Sequence, residues 1–103
     1  MNQDISAHQD HIHELKKRYR KFRHVCAQIV MLNNNIAHAQ VRYRRARTHS
    51  RKSFRYFQRV NLAVIEGVRN MLYEHASTEA VRLERLQNHL IRQGVNLNGV
   101  LTV

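Results

Sequence analysis

The sequence predicts an all-α chain, folded as a long antiparallel, coiled-coil-like helical hairpin and completed by a partner. Three observations predict it. Proline is absent and only three glycines interrupt 103 residues, so little stops a helix once it has started. Apolar residues recur in alternating steps of four and three, the mark of one buried helical stripe. Two broadly apolar belts, VCAQIVML (25–32) and VNLAVIEGVRNMLY (60–73), lie about equally far from a midpoint between Arg47 and Thr48. Folding the chain there sets one belt beside the other.

The first helix is expected over about 4–47. One of its series is Ile5, Ile12, Tyr19, Cys26, Asn33 and Gln40; the other is His8, Leu15, Phe22, Ile29, Ile36 and Tyr43. Such a stripe is core, and Asn33 on it trades stability for a single register. The bend falls in ARTHS, with Thr48, Ser50 and Ser53 as candidate caps for the second helix. Folding there sets Lys16 and Lys21 opposite Glu79 and Glu74, and Asp10 opposite Arg85.

The second helix is expected over about 51–93. The first register runs on through Phe54, Phe57, Asn61, Val64, Val68 and Met71. It then slips, as after a four-residue stutter, to Leu72, Ala76, Leu83, Leu86 and Leu90. Gly94 stands where a helix C-cap belongs, with Val95 behind it for the accompanying apolar contact. Residues 1–93 thus read as one hairpin domain. Residues 94–103 read as an irregular or extended tail, free to fold back and bury Val95, Leu97 and Leu101. Its end, Leu101-Thr102-Val103, also fits the loose pattern captured by PDZ-type domains.

Two lone helices leave the outer faces of both belts exposed, so a homodimer forming a four-helix bundle, or a helical protein partner, is expected. The assembly stripe comprises Ile12, Leu15, Phe22, Ile29, Ile36, Phe57, Val64, Val68, Met71, Leu83, Leu86 and Leu90.

Charge supplies the functional expectation. Eighteen bases against seven acids give +11, and no acid occurs between Glu14 and Glu66. At the bend, VRYRRARTHSRKSFRYFQR (41–59) gathers Arg42, Arg44, Arg45, Arg47, Arg51, Lys52, Arg55 and Arg59 with four aromatic rings. Arginine suits bidentate phosphate contacts and ring stacking, so these eight residues are the candidate polyanion site. On the register above, Tyr43, Phe54 and Phe57 belong to the core. A second basic run, KKRYRKFR (16–23), is partly offset by Glu74 and Glu79. The expected function is a non-enzymatic helical adaptor that self-associates or pairs with a helical subunit and presents an arginine-rich tip to a polyanion or acidic protein. The alternative is a dedicated RNA- or DNA-binding protein whose dimerisation spaces two tips.

Other chemistry finds little material. Seven acids, no glycine-rich phosphate loop and no nucleophile–base spacing argue against an enzyme. His8, His11 and His13 with Asp4 and Asp10 offer at most three convergent ligands, too few for structural zinc, so no metal or other cofactor is expected. NNIAHAQVR (34–42) has Asn34, Ala37 and Arg42 at the spacing of a leucine-zipper basic region, but His38, Val41 and the missing leucine heptads exclude it. Cys26, the single cysteine, forms no internal disulfide, and no run is long and apolar enough to span a bilayer. An intracellular, reducing compartment, nucleus or cytoplasm, is the expected location.

Overall fold

A computed structural model describes the backbone of residues 2–101 and the side chains of residues 8–101. The side chains of Asp4 and Ile5, and Thr102 and Val103 of the terminal pattern, lie outside the described residues. Helix α1 spans Asn2–His49 and α2 spans Lys52–Arg92. Only Ser50 and Arg51 join them, and the described residues contain no strand. The architecture is an all-α helical hairpin with extensive contact between its two helices. The chain divides into two compact units, Met1–Val25 with Ala76–Val103, and Cys26–His75.

In the first unit, Leu15, Leu83 and Leu90 form the buried cluster. Ile12, Tyr19, Phe22 and Leu86 pack around it from the helices, and Val95, Leu97, Val100 and Leu101 from the tail. The fold-back at Gly94 has a clear cause. Gly94 takes φ +83°, its N–H donates to the Ile91 carbonyl at 3.0 Å, and the Val95 N–H donates to the Leu90 carbonyl at 3.0 Å. That hydrogen-bond pair is a Schellman cap, and Val95 completes it by packing on the leucine cluster. A second reversal follows at Gly99, φ +79°, after an Asx turn in which the Asn98 N–H donates to Asn96 Oδ1 at 3.0 Å. Gly94→Ala is therefore expected to lower stability by about 1 kcal/mol, because Cβ disfavours the left-handed conformation. Thermal denaturation followed by circular dichroism reads this out.

The charge pairing here differs from expectation. Glu79 lies 3.8 Å from Arg18, which also binds Glu14 at 2.8 Å, and Arg82 reaches Glu79 at 3.2 Å. Lys16, expected opposite Glu79, is instead exposed. The helices are joined at Ser50–Arg51, about three residues beyond the expected midpoint.

In the second unit, Ile29, Ile36, Ala39 and Ala46 are buried on α1. Gln40, expected on the stripe, is exposed; Ala39 takes its place, and the small alanines let a neighbouring helix approach closely. Asn33 does find a polar partner, accepting from Arg69 Nη1 of α2 at 3.4 Å.

The register of α2 is the main correction. One seam of its buried and half-buried residues runs Arg55, Gln58, Leu62, Ile65, Arg69, Leu72, Ala76, Glu79, Leu83, Leu86 and Leu90, with Asn61, Glu66, Ala80 and Gln87 half-buried beside it. Along the seam, steps of three and four alternate without a break, so there is no stutter. Phe57, Val64, Val68 and Met71 do not belong to this seam: Phe57 is 62% exposed, Val64 59% and Met71 70%, with Val68 exposed too. The apparent slip came from two apolar stripes on one helix, the outer of which is greasier than the inner where Arg55, Gln58 and Arg69 interrupt it. The other eight expected assembly residues, Ile12, Leu15, Phe22, Ile29, Ile36, Leu83, Leu86 and Leu90, are buried or half-buried within the chain's own hairpin.

Candidate polyanion-binding tip

Helix α1 ends with Arg47 and His49 in its last turn, where cations complement the helix dipole. Helix α2 begins the opposite way. Its first turn holds no acid, and it carries Lys52 and then Arg55 toward the positive end of its own dipole. None of the expected hydroxyls relieves this. The Thr48 hydroxyl donates back into α1, to the Arg45 carbonyl at 3.2 Å, and neither Ser50 nor Ser53 caps α2. The Arg51 carbonyl instead opens the helix by accepting from the Arg55 N–H at 3.0 Å. A helix start of this kind presents free N–H groups and cations together, which favours an external anion.

Tyr43, Arg47, Lys52, Arg55, Tyr56 and Arg59 line an open concavity of about 220 Å³. Helical spacing explains the grouping, since Tyr43 and Arg47 are four apart on α1, while Lys52, Arg55 and Arg59 follow the three–four step along α2. The Arg59 guanidinium sits 5.3 Å from the Tyr56 ring centroid, close enough for a cation–π contact. Arg55 is half-buried, and its Nε lacks a hydrogen-bond partner. The three ion pairs described above all involve Glu14 or Glu79, in the other unit.

Of the eight basic residues expected at the tip, Arg47, Lys52, Arg55 and Arg59 line the concavity, while Arg42, Arg44, Arg45 and Arg51 are exposed outside it. Arg44 turns back along its own helix, where its Nε donates to the Gln40 carbonyl at 3.4 Å. Tyr43 is half-buried as expected, but Phe54, Tyr56 and Phe57 are all exposed. Phe54 and Phe57, expected in the core, therefore stand in solvent among the arginines. Their one-position offset from the polar seam residues Arg55 and Gln58 was the available signal.

Gln58 is the buried polar side chain of α2 next to this site, and its Oε1 has no hydrogen-bond partner. Gln58→Leu keeps the volume and removes the unsatisfied acceptor, so urea denaturation is expected to show a gain of about 1 kcal/mol.

A second basic surface lies in the other unit, along the 16–23 run. Lys16, Arg20 and Arg23, with Tyr19, line a hollow of about 300 Å³ against the tail residues Gly99, Val100 and Leu101. Arg23 lies 6.0 Å from the Tyr19 ring centroid. The histidines meet in edge and tilted contacts, His8–His11 at 6.4 Å and His11–His89 at 6.0 Å. Among the described residues no group of three His, Cys, Asp or Glu side chains is placed to hold a metal ion. Cys26 is a half-buried free thiol. No helix among the described residues is long and apolar enough to cross a membrane. Comparisons with protein families, with curated proteins and with solved structures return no match.

Proposed function

We propose that the protein is a non-enzymatic helical assembly module whose arginine-rich tip engages a polyanion. One observation carries this reading: four cations, Arg47, Lys52, Arg55 and Arg59, surround a concavity at an uncapped helix start with no acid in its first turn. Like charges so placed repel one another, and a multivalent anion relieves that repulsion while binding. The exposure of Phe54 and Tyr56 beside these arginines favours nucleic acid over an acidic protein, because unpaired bases stack on rings that a carboxylate-rich surface leaves unused. The unpaired Cys26 suits a reducing compartment, nucleus or cytoplasm.

The test is a salt titration of the full chain against labelled single-stranded RNA, duplex DNA and polyglutamate. Binding to a nucleic acid that weakens steeply and log-linearly with salt supports the reading. Tighter binding to polyglutamate would shift it to an acidic protein partner. Absence of binding to all three at low salt would refute it.

A further inference from the structure

The outer face of α2 is the unexplained surface of the molecule. Each helical residue advances by about 100°, so Phe57, Val60, Val68 and Met71 all point within about 40° of Val64, whereas the seam residues Leu62 and Ile65 point about 100° or more away. All five outer residues are exposed. Gly67 lies beside them with open space where a Cβ would stand, so a second helix can approach the backbone there. Helix α1 offers nothing comparable: it exposes Val30, Met31 and Val41, but Met31 points about 100° from Val30, and Asn34 interrupts the rest.

We propose that this face is covered by a second copy of the chain, α2 against α2, antiparallel about a two-fold axis through Val64. The proposal rests on the assembly half of the function given above, and specifies its partner, face and direction. The stripe is self-complementary in that arrangement. A two-fold axis at Val64 sets Phe57 against the partner's Met71 and Val60 against the partner's Val68, filling each large side chain's place with another apolar one. It also brings Glu74, the acid nearest the end of the stripe, beside the partner's Phe54 and Arg51, where negative charge is favourable.

Electrostatics selects the direction. A parallel pair superimposes two arginine-rich tips. The antiparallel pair moves them about 40 Å apart, several Debye lengths at physiological salt. Ordinary side-chain areas and the observed exposures put the apolar surface available at roughly 500 Å² per copy, somewhat below the ~800 Å² per partner of a standard interface. The dimer is accordingly reversible and concentration-dependent. It joins hairpins through one helix each, so the assembly is a row of four helices with the two α2 at its centre, in place of the closed four-helix bundle expected from the sequence.

Cysteine cross-linking in a Cys26→Ser chain tests the geometry, with light scattering over a concentration series to read the mass. The mass is expected to rise from monomer to dimer, and Val64→Asp is expected to shift that transition at least tenfold higher while helical circular dichroism persists. Under mild oxidation Val64→Cys is expected to cross-link to itself. Phe57→Cys alone is not, since its two copies stand about 21 Å apart, far beyond disulfide reach; an equimolar mixture of Phe57→Cys and Met71→Cys is expected to cross-link. Self-cross-linking of Phe57→Cys, or a mass insensitive to Val64→Asp, would overturn the antiparallel α2 interface while leaving self-association standing. A monomer at every concentration would overturn self-association itself, and the salt titration above would still decide polyanion binding independently.

Discussion

Replacing Arg47, Arg55 and Arg59 together with alanine is expected to weaken nucleic-acid binding by on the order of 100-fold at low salt, and to flatten the log–log salt dependence by about two to three. The same change is expected to raise the thermal midpoint. Arg47 and Arg59 are exposed and Arg55 is half-buried with an unpartnered Nε, so no ion pair is lost. Alanine is also the better helix former, and the repulsion relieved among the three charges and at the positive end of α2 outweighs the loss of Arg47 from the negative end of α1. Fluorescence anisotropy and thermal melts on the same preparation measure both effects. A purely structural role for these arginines predicts the opposite pairing, lower stability with unchanged affinity. The matched control is Arg42, Arg44 and Arg45 replaced together, which removes equal charge outside the concavity. It is expected to cost only a few-fold; an equal loss would mean that the diffuse field binds the ligand and the concavity does not.

Leu90→Ala is expected to destabilise the chain by about 3 kcal/mol, within the range for truncating a fully buried leucine. Leu90 is fully buried against Leu15 and Leu83, and its carbonyl accepts the hydrogen bond that closes the helix cap. The truncation opens a void under Val95 and loosens the reversal of the tail. Total stability for a domain of this size is about 5–15 kcal/mol, so the loss is a large share, visible as a fall of more than about 10 °C in melting temperature. Ile91→Ala, one position along and exposed, is the comparison and is expected to change stability by less than about 0.5 kcal/mol.

Much of the fold was legible because its signals are local. The absence of proline, the three–four spacing of Leu15, Phe22, Ile29 and Ile36, and the Gly94-Val95 pair each act within one or two helical turns. The register of α2 was not legible from hydrophobicity alone. Phe57, Val64 and Met71 outweigh Gln58, Ile65 and Arg69, so a reading by greasiness picks the outer stripe and has to invent a slip near Leu72. The position of the bend was off by about three residues for a related reason: the belts that located it include the outward-facing Val30, Met31, Val64 and Val68. At the tip, the concentration of charge was plain in the sequence. The partition into four concavity-lining cations and four outlying ones depends on both helices meeting at Ser50–Arg51. The hollow formed by Lys16, Arg20 and Arg23 with Val100 and Leu101 needs a tail reversal that only the left-handed Gly94 and Gly99 set.

The two-residue connection Ser50–Arg51 also bears on how fast the chain reaches its fold. Closing a short loop sacrifices the least chain entropy, so the residues flanking the bend are the natural place for the helices to meet first. In this sequence that is also where mutual repulsion is densest, which raises the barrier at the very step topology makes easiest. Higher ionic strength is therefore expected to speed refolding, and an anion bound at the proposed site would do the same by quenching that repulsion.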